Sequence, residues 1–140
     1  MSIKILVTDP LSDNGLELLK KSKFEVIYKP NDSIDDIFTI LDDIDGWIIR
    51  SGTTILKEHI LKAKKLQIIG RAGVGTDNID IEAATLNGVI VMNVPDGNTI
   101  SAAEHTIAMM STLSRNIQLG HMGLMNGNWD RHKLVGNELR

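Results

Sequence analysis

The residues of this sequence best suited to chemistry are arginines, glycines and asparagines that stand directly behind short apolar runs. They occur in Thr8-Asp9-Pro10, in Arg50-Ser51-Gly52-Thr53, in Arg71-Ala72-Gly73-Val74-Gly75 and in Asn93-Val94-Pro95-Asp96-Gly97-Asn98. Guanidinium forks match carboxylate and phosphate, and glycine turns expose backbone N–H donors, so this composition suits the binding of an anion. Taken singly, each residue has a plainer role. An arginine at a strand end is often a solvated charge, and a glycine after a strand is often only a turn. Recurrence on successive loops favours a site, because loops at one edge of a scaffold are where binding residues gather.

Other chemistries are poorly supplied. There is no cysteine, which removes disulfides, thiolate metal ligands and thiol nucleophiles. His59, His105, His121 and His132 have no partner at metal-ligand spacing and are read as surface or interface residues, so no metal is expected. Gly70-Arg71-Ala72-Gly73-Val74-Gly75 is not a dinucleotide turn, since Thr76-Asp77-Asn78-Ile79 separates it from any helix. Asp96, at the distance of a ribose-binding acid, falls in a Pro-Gly loop instead of at a strand tip. Asp9 could imitate the acid of a receiver-type phosphorylation domain, but Arg50 stands where that site needs a further acid.

The elements that must position these loops alternate. Ile3–Val7, Phe24–Tyr28, Trp47–Ile49, Leu66–Ile69 and Val89–Met92 read as strands. Between them, Ser12 caps a helix carrying Leu16, Leu18 and Leu19, and Ser33 opens one with Ile34, Ile37, Phe38 and Leu41 on a single face. A helix through Ile60, Leu61 and Ala63 follows, with Leu56 where a polar cap belongs. Asp80 then caps a short helix that Asn87-Gly88 ends. Apolar strands alternating with helices predict a flavodoxin-like parallel five-stranded sheet with helices on both faces, whose carboxyl edge carries all the loops named above.

The pattern changes after Pro95. A helix from Thr99 to Arg115 has apolar residues nearly all round it, with Ser101 and Glu104 at capping-box spacing. Such a helix expects burial on most sides, hence against another domain or another copy of the chain. A second helix is predicted from Gln118 to about Asn126, followed by a polar tail to Arg140. With 15 basic against 18 acidic residues there is no surplus of positive charge for nucleic acid. No apolar run reaches membrane-spanning length and no leader pattern precedes Met1-Ser2-Ile3-Lys4, so a cytoplasmic location is expected.

Across essentially its whole length the sequence resembles the D-isomer-specific 2-hydroxyacid dehydrogenases. The likeness runs through Arg50–Thr53, Gly70–Asp80, Asn93–Thr106, Arg115-Asn116-Ile117 and Gly127–Arg131, and is strongest to the branch that oxidises 3-phosphoglycerate with NAD in serine biosynthesis. The resemblance implies a substrate-binding domain over 1–96, incomplete without elements that return from farther along such a chain. It also implies that 97–140 begins a Rossmann cofactor domain and supplies dimerisation helices. By that resemblance Arg50 and Arg71 hold the substrate's anionic groups, with Ser51 and Asn98 beside them. Gly73 and Val74 receive its carboxylate, with Val74 near the nicotinamide, and Arg131 reaches a neighbouring subunit's site. The family's glycine-rich NAD loop and its catalytic arginine, acid and histidine lie beyond the matched stretch. No catalytic residue is therefore expected in this chain, no tight NAD binding by it, and no activity from it alone. The expected partners are a small anionic 2-hydroxy acid and a second copy of the chain, met through the Thr99–Arg115 helix. Family members acting on glyoxylate, hydroxypyruvate or D-lactate remain alternatives, as does a stand-alone dimerising module that binds a phosphorylated acid.

Overall fold

The computed structural model describes residues 2–139; Met1 and Arg140, the two ends of the sequence reading, lie outside the described residues. The chain divides into two compact units between Gly97 and Asn98.

The first unit is built on five strands, β1 (Lys4–Val7), β2 (Glu25–Tyr28), β3 (Gly46–Ile49), β4 (Ile68–Arg71) and β5 (Ile90–Met92). They pair in parallel in the order β2-β1-β3-β4-β5, the flavodoxin-like order that the alternating pattern predicts. The helices are α1 (Asp13–Lys21), α2 (Ile34–Ile37), α3 (Lys57–Lys62) and α4 (Ile81–Leu86). Side chains alternate between the two faces of each strand. Leu6, Trp47, Ile49 and Ile69 fall on one face and close a core with Ile37, Leu41, Ile60, Ala83 and Ala84 from α2, α3, α4 and the turns beside them. On the other face Leu19 and Phe24 line an apolar hollow with Ile5, Ile48 and Ile68.

Local chemistry explains where each helix begins. Ser12 accepts from the Gly15 N–H at 3.3 Å, and Asp80 accepts from the Ala83 N–H at 2.8 Å. Ser33 and Asp36 form a reciprocal capping box. The helix expected through Leu41 is instead one turn of α-helix that tightens into a 3-10 segment, Phe38–Asp43. Asp42 and Asp43 would sit against the negative end of a longer α-helix. Here they pair outward with Lys62, Lys4 and Lys65. The fourth strand also starts later than its apolar run suggests, at Ile68, and so carries Arg71 as its last residue. Gly88, at φ 70°, makes the left-handed turn after α4 that a residue with a side chain rarely adopts.

The second unit consists of α5 (Thr99–Ser114), α6 (Ile117–Met125) and a 3-10 turn, Arg131–Lys133. Its capping departs from the expected box. Asn98 is the N-cap of α5 with no side-chain cap bond, and the Ser101 hydroxyl donates to the Asn98 carbonyl at 3.1 Å. Asn116, at φ 52°, turns the chain between α5 and α6, and the tail folds back so that Asn137 N–H reaches the Ser114 carbonyl at 2.8 Å. Neither α5 nor α6 contains a buried residue.

Candidate functional site

The carboxyl edge of the sheet carries a connected polar network. Asp9, just past β1, is buried, and its carboxylate accepts from the backbone N–H groups of Arg50 at 2.7 Å and Thr53 at 3.1 Å. Beside it the buried Thr8 hydroxyl accepts from the Trp47 indole N–H at 3.0 Å and from the Thr53 hydroxyl at 2.9 Å. The two bonds to the Asp9 carboxylate are charge-assisted and so stronger than the neutral ones to Thr8. They fix the loop after β3, whose own residues Arg50, Ser51 and Gly52 are exposed. Gly52 has no room for a side chain, because a Cβ there would collide with the Asp9 carboxylate.

The loop after β4 is a tight turn under a guanidinium. Gly73 N–H donates to the Arg71 carbonyl at 2.8 Å, and Val94 N–H donates to the Gly73 carbonyl at 2.9 Å. The Asn93 amide donates to the Val74 carbonyl at 2.7 Å, tying the turn to the end of β5. Arg71 folds back so that its Nη1 occupies the place a Cβ on Gly73 would take, and it lies 3.8 Å from the corresponding position on Gly75. A side chain at Gly73 would displace that guanidinium from its place over the turn, while the backbone angle there is ordinary. The Arg71 Nε–H in turn donates to the Asn78 side-chain oxygen at 3.2 Å.

The anion-binding residues read from sequence fall into three groups. Arg71, Gly73 and Val74 come together as one turn. Arg50 and Ser51 occupy the neighbouring loop, since Ile49 is the register partner of Arg71 across β3 and β4. The Arg50 guanidinium, however, donates to the Pro10 carbonyl at 3.3 Å, on the β1 side, so the two guanidiniums do not converge on the glycine turn. Asn98 and Arg131 belong to the second unit, where both are exposed. The Gly70–Gly75 run does not lead into a helix, because α4 starts only at Ile81, so these glycines do not form a pyrophosphate cradle.

His59 departs from the surface or interface role its sequence suggests. It is buried, edge-on to Phe38 and Trp47, and its Nδ1 accepts from the Leu56 N–H at 2.9 Å. It thereby supplies the N3 half of a capping box, accepting from the N-cap N–H, while Leu56 offers no side-chain acceptor to the first turn. Burial pushes its pKa down, while Glu58 and Asp35 pull it up more weakly. His105, His121 and His132 are exposed. Among the described residues no group of three or more His, Cys, Asp or Glu could hold a metal ion. The roles that sequence reading does not give are those of Asp9, named there only as a loop acid, and of Asn78. Each had a visible signal, an acid directly behind a strand and an asparagine inside the glycine-loop motif, but no spacing rule marks their backbone partners.

The family description "D-isomer specific 2-hydroxyacid dehydrogenase, catalytic domain" matches residues 5–126. The chain belongs to this family. Within the family it is 43% identical over 136 residues to the D-3-phosphoglycerate dehydrogenase of Sus scrofa, covering 97% of this chain and 26% of that protein. It is also 43% identical over 138 residues to the D-3-phosphoglycerate dehydrogenase of Archaeoglobus fulgidus, covering 99% of this chain and 26% of that one. The crystal structure of NAD+-bound 3-phosphoglycerate dehydrogenase from Entamoeba histolytica superposes with a TM-score of 0.70 at 38% identity, over 82% of this chain and 40% of that chain. The chain thus spans about a quarter of the length of the curated family members it matches.

Proposed function

We propose that this chain is the substrate-binding region of an NAD-dependent D-3-phosphoglycerate dehydrogenase, and that it is catalytically silent alone. The observation that carries the reading is the Arg71 guanidinium lying over the Gly73 turn at the tip of β4. A carboxylate placed there meets a guanidinium fork and backbone N–H groups together. The Gly73 N–H must exchange its bond to the Arg71 carbonyl for the ligand. Arg50 is the second anchor, in the loop that follows the adjacent strand. Its bond to Pro10 is exposed and holds it only weakly, by about 1 kcal/mol, so it is released to a phosphate at small cost. Two anchors at neighbouring strand tips suit an acid with an anionic group at each end better than D-lactate, glyoxylate or hydroxypyruvate.

Hydride acceptance belongs to NAD in the whole enzyme; Gly70–Gly75 does not fit its pyrophosphate, and the residues of this chain act by binding and orienting the acid. Residues 1–96 then form the substrate domain and 97–140 the beginning of the cofactor domain, a reading supported by the division at Gly97. A second reading, a dimerising module that binds a phosphorylated acid, draws on α5, which leaves Ile100, Ile107 and Leu113 exposed. In both readings α5 meets a second copy of the chain. Among the described residues no helix is long and apolar enough to cross a membrane.

Calorimetric titration of the chain tests the assignment. 3-Phosphoglycerate should bind more tightly than D-lactate, and Arg71→Ala should weaken both about tenfold or more. Arg50→Ala should weaken only the phosphorylated acid. Equal affinities for the two acids, or NAD-dependent oxidation of 3-phosphoglycerate by the purified chain, would contradict it.

A further inference from the structure

We propose that Asn78 is a positioning residue of this rim: its side-chain amide locks the loop after β3 to the Arg71 guanidinium and aims that guanidinium at the glycine turn. The proposal rests on the substrate-binding reading above and adds the part that sets the geometry. An asparagine side chain offers two N–H donors and one carbonyl acceptor. Asn78 uses both kinds. Its Nδ2 donates to the carbonyls of Arg50 at 2.7 Å and Thr53 at 2.6 Å, and its Oδ1 accepts from Arg71 Nε at 3.2 Å. Rotating the amide by half a turn would set an oxygen against two carbonyls and an NH2 against an N–H, so these partners admit one orientation.

The three bonds join segments far apart in sequence. Arg50 and Thr53 are the same two residues whose N–H groups Asp9 holds from the other side. The loop after β3 is therefore clamped twice, through its donors by a carboxylate and through its acceptors by an amide. Asn78 itself is rooted, because its carbonyl accepts from Ile55 N–H at 2.8 Å, Ile79 pairs with Ile55, and Asp80 N–H closes back onto Ile55 at 2.9 Å.

The consequence for Arg71 is directional. With Nε engaged by Asn78, the guanidinium presents its terminal nitrogens to a ligand, and Nη1 is the atom found over Gly73 and close to Gly75. An anion is then received end-on by the two terminal nitrogens and not along the Nε edge. Without the amide, the guanidinium is free to rotate about its side-chain torsions, and ordering it again falls on the ligand.

The Arg71 Nε–H resonance reads this directly in the full chain. In the unsubstituted protein it should exchange slowly with water and move little when 3-phosphoglycerate is added, while signals of the terminal nitrogens move. Asn78→Ala should make that proton exchange freely and weaken 3-phosphoglycerate binding roughly tenfold. Asn78→Asp keeps an acceptor for Nε but loses the donors to Arg50 and Thr53, so slow exchange should persist while binding still weakens. A purely structural role would predict that both variants lose affinity only in proportion to lost melting temperature. Rapid exchange of Nε–H in the unsubstituted chain, or Asn78→Ala binding as tightly as the parent, would overturn the proposal. Should the parent chain bind no 3-phosphoglycerate, the substrate reading falls, and the Nε–H exchange still decides whether Asn78 holds Arg71.

Discussion

The unit that ends at Gly97 contains every buried apolar residue among the described ones, from Ile5 to Val89, whereas α5 and α6 beyond it contain none. The contrast is not one of composition, since α5 is among the most apolar segments of the chain. Helices α2, α3 and α4 each bury one side in the core, through Ile37, Ile60 and the pair Ala83 and Ala84, and leave the other to water. Helix α5 has apolar residues around most of its circumference, so no single neighbour could cover it. The same division holds for polar groups. Thr8, Asp9 and His59 are buried in the first unit, each with a named hydrogen-bond partner. An apolar sequence thus does not by itself make a core. The part of the chain that assembles its own core is also the part that can hold the polar rim in place.

Substitutions can break that comparison, and the largest effect should come from the core. Trp47→Ala removes a fully buried ring and leaves Thr8 without its indole donor, so urea unfolding should show a loss of about 3–5 kcal/mol. Leu113→Ala on α5 should change stability by less than about 0.5 kcal/mol in dilute solution. A loss on α5 as large as that in the core would mean that α5 is buried in the species measured.

Next in size is Asp9→Ala. It leaves the N–H groups of Arg50 and Thr53 without their acceptor, and a cost of about 1.5–3 kcal/mol is expected from the same unfolding measurement. Amide exchange at Thr53 should rise with it.

A smaller effect follows pH. His59 is held neutral by burial, below its ordinary value of 6.5, so the unfolded chain takes up a proton more readily than the folded one. Its contribution is complete above 6.5 and is lost as pH falls through the folded value. Protonation would also turn the Nδ1 acceptor into a donor facing the Leu56 N–H. Urea midpoints should therefore fall between neutral and mildly acidic pH, and His59→Gln should flatten that slope. An unchanged slope would remove His59 as its source.

The smallest effect should come from the surface. Lys4 and Lys65 hold Asp43 at about 2, so its contribution is present above the ordinary carboxylate value of 3.8 and disappears as pH falls toward 2. The pairing is exposed, and Asp43→Asn should become indistinguishable from the parent in high salt.

Much of this was legible in the residues. The apolar runs separated by caps at Ser12, Ser33 and Asp80 gave the alternation, and the loops behind them gave the rim. Strand order followed because parallel strands joined by helices have few ways to pack. What could not be read was direction. Nothing in Arg50-Ser51-Gly52-Thr53 says that its guanidinium turns to Pro10, because that depends on a carbonyl forty residues earlier in the chain. His59, on a helix and without a partner at metal-ligand spacing, reads as a surface or interface residue. Its capping of Leu56 uses a side chain outside the usual set. Asn78 sat inside a quoted motif, yet its role depends on two carbonyls in a different loop.

The most direct measurement of the central claim is a titration of isotopically labelled chain with 3-phosphoglycerate, followed by backbone and arginine side-chain resonances. Saturable shifts concentrated in residues 50–53 and 71–78, with D-lactate perturbing the second stretch more than the first, are the expected result. Shifts confined to other parts of the sheet, or none that saturate, would contradict the assignment of this rim to an acid with two anionic ends.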